Sequence, residues 1–123
     1  MSITGRRQPL VAVLYSVPLL CEAISSALDD IAEVHMFRAS RGDTVGLLRS
    51  LRPDAVVVDH PREAAEAREW SEEREIPLVH INLRERKIGV LRAGDWEESA
   101  GAGRESIRNI IAGAMYARGG VGS

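Results

Sequence analysis

The chain has 123 residues, 18 acidic against 16 basic side chains, a formal charge of −2 and a pI near 5.9, which suits one domain with its own core. The near balance of charge leaves no basic field for nucleic acid or an anionic membrane surface. A single cysteine, Cys21, excludes an internal disulfide or a thiolate metal cage and predicts a reducing, cytoplasmic setting, while no apolar run approaches the ~18 residues of a membrane span.

Residues 1–9 are polar and aperiodic and read as a flexible lead-in; residues 10–118 read as the domain and 119–123 as a tail. Leu10 to Leu14 is a continuous apolar run, the first candidate strand, ending at Tyr15-Ser16. From Pro18 the period changes. Leu20, Ala23, Ile24, Ala27, Leu28 and Ile31 recur at three and four, a helix for which Ser16 is placed as cap and Pro18 in the first turn. Val34 to Phe37 predicts a second strand, and a polar loop, Arg38 to Gly42, follows it. Asp43 or Thr44 can cap a helix that carries Val45, Leu47, Leu48 and Leu51 inward and stops before Pro53.

The stretch Arg52 to Pro61, RPDAVVVDHP, organises the chain. Ala55 to Val58 is apolar without alternation and bounded by turn formers, as expected of a strand buried on both faces of a parallel sheet. Pro61 opens a third helix to about Arg74, with only Ala64, Ala67 and Trp70 to offer a core. Ile76 to Leu83 predicts the fourth strand. Only Arg84 to Lys87 then precede Ile88 to Leu91, and four residues are too few for a parallel crossover, so the fifth strand is expected to return antiparallel. Gly94-Asp95 offers a turn, Ser99 to Gly103 a flexible link, and Arg104 to about Arg118 a last helix with Ile107, Ile110, Ile111, Ala114 and Met115 on one stripe, stopped at Gly119-Gly120.

This βαβαβαββα order, with right-handed crossovers, predicts a three-layer αβα sandwich with a mostly parallel five-stranded sheet in the order 2-1-3-4-5. Ligands of such folds bind where strand order reverses, at the carboxyl ends of the first and third strands. Tyr15, Ser16, Asp59 and His60 are expected in that crevice, with Asn82 from the fourth strand. Asp59 is open to three readings: a vestigial acceptor, an active acceptor, or a cap for the helix beginning near Pro61. His60 reads as a solvent-facing edge residue and His80 as a satisfied core histidine. No spacing motif marks a metal site, and no nucleophile elbow, dinucleotide fingerprint or P-loop is present. Met115 and Tyr116, with Trp96, either complete the core or extend a patch to a partner; the fifth-strand and last-helix side is the expected face of a symmetric dimer.

Three segments, VAVLYSVPLLCEAISSAL, LLRSLRPDAVVVDHP and IPLVHINL, resemble the receiver (CheY-like) domain of two-component response regulators, a flavodoxin-like module. In that family an aspartate ending the third strand accepts a phosphoryl group, and Asp59 stands at its position. The family's acidic pair that holds Mg²⁺ is replaced by Tyr15-Ser16. Asn82 stands where a hydroxyl-bearing residue ends the fourth strand, Lys87 precedes the fifth strand instead of closing it, and the fourth helix is missing. The resemblance implies a pseudo-receiver: a non-enzymatic signalling module for protein partners, with no cofactor and no Mg²⁺-dependent phosphorylation. Two alternatives stand beside it, a genuine phosphoacceptor using Asp59 and a sensor of a small anion or nucleotide at the crevice.

Overall fold

The computed structural model describes residues 8–39, 43–92, 94–101 and 103–120, without the side chains of 116–120. The lead-in at 1–7, the loop at 40–42, Ala102 of the Gly/Ala link, the Tyr116 side chain and the tail at 121–123 lie outside the described residues. The elements are β1 (Leu10–Tyr15), α1 (Pro18–Leu28), β2 (Glu33–Arg38), α2 (Thr44–Leu51), β3 (Ala55–Val58), α3 (Pro61–Arg74), β4 (Leu78–Asn82), β5 (Lys87–Arg92), β6 (Asp95–Ala100) and α4 (Arg104–Gly120). One six-stranded mixed sheet runs in the order β2-β1-β3-β4-β5-β6, parallel from β2 to β4 and antiparallel from β4 to β6.

The five-stranded expectation is therefore one strand short. Residues read as a turn and a link form β6, whose ladder pairs Arg92 with Asp95 and Lys87 with Ala100. Gly94, at φ +85°, supplies the left-handed residue of the tight return. β6 shows no apolar alternation because it is an edge strand exposed along nearly its whole length. With β6 outside it, β5 is an interior strand, so the edge expected to seed a symmetric dimer is not an edge.

β3 is buried at every position because it has a strand on each side and helices above and below. Alternation along each strand sorts the core into two layers. Val11, Val13, Val57, Val79, Ile81 and Ile88 face Leu20, Ile24 and Leu28 of α1 and Ile107, Ile111 and Met115 of α4. Ala12, Leu14, Val56, Val58, Leu78 and Leu91 face Leu48 of α2 and Ala64, Ala67 and Trp70 of α3. Met115 belongs to the first layer and Trp96 packs against the second. The sheet lies between them, so they form no common patch.

α1 has no basic residue in its last turn, and α4 supplies the missing cations. Arg104 Nε donates to Ser26 O at 2.9 Å, and Arg108 donates to both Asp30 carboxylate oxygens at 2.6 and 3.2 Å. Carbonyls left open at a helix end are thus met from a neighbouring helix. α4 itself continues through Gly119 and Gly120 instead of stopping there. On the other face, the turn at 83–86 replaces a crossover helix, and α3 reaches the β5-β6 hairpin through a hydrogen bond from Arg68 to the Gly94 carbonyl.

Candidate functional site: the carboxyl edge of β1 and β3

β1 and β3 pair in parallel register, Val11 with Ala55 through Leu14 with Val58. The residues leaving the two strands therefore arrive side by side, and Asp59 meets Ser16. Its Oδ1 accepts from Ser16 N at 2.8 Å and Ser16 Oγ at 2.9 Å, while Oδ2 accepts from Ser16 N at 3.0 Å and Val17 N at 3.0 Å. A carboxylate has about four lone-pair directions, and here three donors of the β1-α1 turn engage them, Ser16 N being shared between the two oxygens. The charge also lies at the positive end of α1, whose first turn carries no acidic residue of its own.

A matching contact closes the opposite end of the same strand pair. Asp54 Oδ2 accepts from Leu10 N at 2.8 Å, and Asp54 N donates to Leu10 O at 2.7 Å. β3 is thus bracketed by two aspartates, Asp54 holding the first amide of β1 and Asp59 the two amides that follow its last residue.

Two cap assignments change. Val17, with no side-chain cap bond, is the N-cap of α1, because Ser16 turns its hydroxyl toward Asp59. His60 is the N-cap of α3: its Nδ1 accepts from Arg62 N at 3.1 Å. That bond places the imidazole proton on Nε2. Asp59 faces the other way and caps neither the helix beginning at Pro61 nor any residue of it. Asp43 caps α2 by accepting from Gly46 N at 2.8 Å.

The crevice has a volume of about 340 Å³ and is lined by Ser16, Asp59, His60, His80 and Asn82, with Arg84 and Glu85 also among its walls. Tyr15 is not among its walls; it packs against the α1/α4 layer. Asn82 is occupied locally, its Oδ1 accepting from Glu85 N at 3.0 Å to fix the turn into β5. His80 is half-buried, with its ring edge-on to Trp96 at 6.1 Å between centroids. Burial holds its pKa below the ordinary 6.5, against smaller opposing pulls from Asp59 and Glu98, so it is neutral at pH 7. The Cys21 thiol is pushed up, first by burial and then by the Asp59 charge, which keeps it protonated and unreactive.

Sequence reasoning missed Glu63, which is 2% exposed at the third position of α3 with Oε1 3.7 Å from His60 Nδ1. The spacing fits a capping box, which would have flagged it had His60 been read as the cap.

The chemistry open to this crevice is narrow. Among the described residues, no group of three or more His, Cys, Asp or Glu side chains is placed to hold a metal. The amides of Ser16 and Val17 are taken by Asp59, that of Arg62 by His60, and Pro18 and Pro61 have none. Those three amides are therefore not open to an anion at the two helix starts. Among the described residues, no helix is long and apolar enough to cross a membrane. Comparison of the chain with family models, with curated proteins and with solved structures found no match.

Proposed function

We propose that the chain is a pseudo-receiver: a flavodoxin-like scaffold that works in the cytoplasm as a non-enzymatic regulatory module, through contacts with a protein partner and without Mg²⁺-dependent phosphorylation. The first five strands follow the 2-1-3-4-5 order of that fold, and β6 is appended. The observation that carries the reading is the engagement of Asp59, whose two oxygens accept from three donors, Ser16 N, Ser16 Oγ and Val17 N. To attack a phosphoryl donor, the carboxylate must release these donors and face like charges, each pair opposing by about 4 kcal/mol at 4 Å and an effective dielectric near 20. A divalent cation normally cancels that repulsion and needs several oxygen ligands. Tyr15 and Ser16 provide no carboxylate for it.

The partner is a different protein in this reading. A full-length symmetric antiparallel pairing of two β6 edges sets Glu97 opposite Glu98, and like charges across a ladder oppose association. Incubation with acetyl phosphate and Mg²⁺, read by intact mass, tests the proposal. The unmodified mass is expected. A stoichiometric phosphoryl adduct that disappears in Asp59→Asn would establish the phosphoacceptor alternative. A melting temperature raised by phosphate or nucleotides, and not in a crevice variant such as His80→Gln, would favour the sensor.

A further inference from the structure

At the amino edge of the sheet, away from Asp59, α2 and α3 each end on a left-handed residue, Arg52 at φ +53° and Glu75 at φ +55°. Between the two helix ends lies a cleft of about 530 Å³ lined by Arg49, Arg52, Asp54, Trp70, Arg74 and Ile76. The three arginines are exposed, and none is ion-paired with a carboxylate among the described residues.

Arginine in a last turn offsets the negative end of a helix, and Arg49 and Arg74 each do so. That accounts for one cation per helix and leaves Arg52 over. The lining thus presents three guanidinium groups and one carboxylate, that of Asp54. Asp54 also has one oxygen committed to Leu10 N.

Trp70, which also lines the cleft, provides a second observation. Trp70 is 3% exposed, and its indole Nε1 is the one buried side-chain donor without an acceptor among the described residues. Such a group is costly to leave unpaired. The Arg74 guanidinium lies over the same ring, 5.8 Å from its centroid.

The geometry points to a site for a small oxyanion, a phosphate or polycarboxylate group, clamped by Arg49, Arg52 and Arg74 beside the Trp70 ring. Guanidinium forks match paired oxygens of either group. The Arg74 guanidinium rests on the Trp70 ring face, so movement of Arg74 toward an anion changes the indole environment. The site is independent of Asp59 and of the pseudo-receiver reading.

The chain has two tryptophans, so Trp96→Phe leaves Trp70 as the only indole reporter. Inorganic phosphate, pyrophosphate and citrate are titrated into this variant at constant ionic strength, with chloride as the control. Calorimetry on the unsubstituted chain gives the affinity without relying on Trp96→Phe folding. A saturable signal is expected for at least one anion. Arg49→Gln and Arg52→Gln, both at exposed positions, are each expected to weaken it about ten-fold. Arg62→Gln at the far edge leaves it unchanged. Preference for pyrophosphate or for citrate assigns the anion class. No saturable binding below about 10 mM, equal response to chloride, or affinity unchanged in both arginine variants would overturn the proposal.

Discussion

Replacing Asp59 by asparagine removes the charge that joins the carboxyl ends of β1 and β3. Three donors, Ser16 N, Ser16 Oγ and Val17 N, lie at 2.8 to 3.0 Å from its oxygens. A hydrogen bond to a charged acceptor contributes about 1.5–3 kcal/mol. Ser16 and Val17 are exposed, so water takes up part of the loss, and asparagine keeps one acceptor while turning an NH₂ toward facing donors. Together these give a destabilisation of about 1–2 kcal/mol for Asp59→Asn and about 2–3 kcal/mol for Asp59→Ala. For a domain of this size the asparagine variant melts roughly 4–8 °C lower. Urea unfolding of the native chain, Asp59→Asn, Ser16→Ala and the double variant measures both cost and coupling. The coupling should be about 0.5–1 kcal/mol, since Ser16→Ala removes the hydroxyl but leaves the amide. An Asp59→Asn chain as stable as the native one, or more stable, refutes the clamp: amidation relieves an acid held among other carboxylates, but not one surrounded by N–H groups.

Other consequences follow from particular contacts. Asp54→Ala should cost about 1–2 kcal/mol through the Leu10 amide it leaves open, with amide exchange at the amino end of β1 rising first. Ile24→Ala, fully buried between α1, α4 and the sheet, should cost about 3–4 kcal/mol in denaturant unfolding. His80 has a folded pKa below its ordinary 6.5. The unfolded chain therefore takes up this proton first, and stability is full above about 6.5 and falls as pH drops through the folded pKa. His80→Gln should flatten that acid limb in pH-dependent melts, and an unchanged limb would place its origin elsewhere. Arg108 lowers the Asp30 carboxyl mainly by hydrogen bonding, so in Arg108→Gln a carbon-detected NMR titration should find Asp30 moved up toward its ordinary range.

The layered frame was readable because each buried strand advertises itself. Ala55 to Val58 and Val11 to Leu14 are unbroken apolar runs, and α1 repeats Leu20, Ile24, Ala27 and Leu28 at helical spacing. The four residues before β5 gave the antiparallel return by length alone. β6 was missed because an exposed edge strand is held by its backbone ladder, and a ladder leaves no hydropathy period in Asp95 to Ala100. At the site, sequence placed Asp59 at a strand end but could not reveal its partners, since two of the three donors are backbone amides 42 and 43 positions away. Ser16 misled for the same reason. Its type fits a helix cap, and only the β1-β3 register shows that Asp59 stands closer than the helix amides. The cation cleft was invisible because Arg49, Arg52 and Arg74 meet only once α2 and α3 end at the same sheet edge.

The central claim is that Asp59 is spent on the β1-α1 turn and holds no divalent ion. The direct measurement follows the Ser16 and Val17 backbone amides by NMR as Mg²⁺ is added, with Ca²⁺ in parallel. The account predicts no saturable shift at either amide up to about 10 mM, beyond what matched ionic strength produces. Saturable shifts of both amides, abolished in Asp59→Asn, would contradict it.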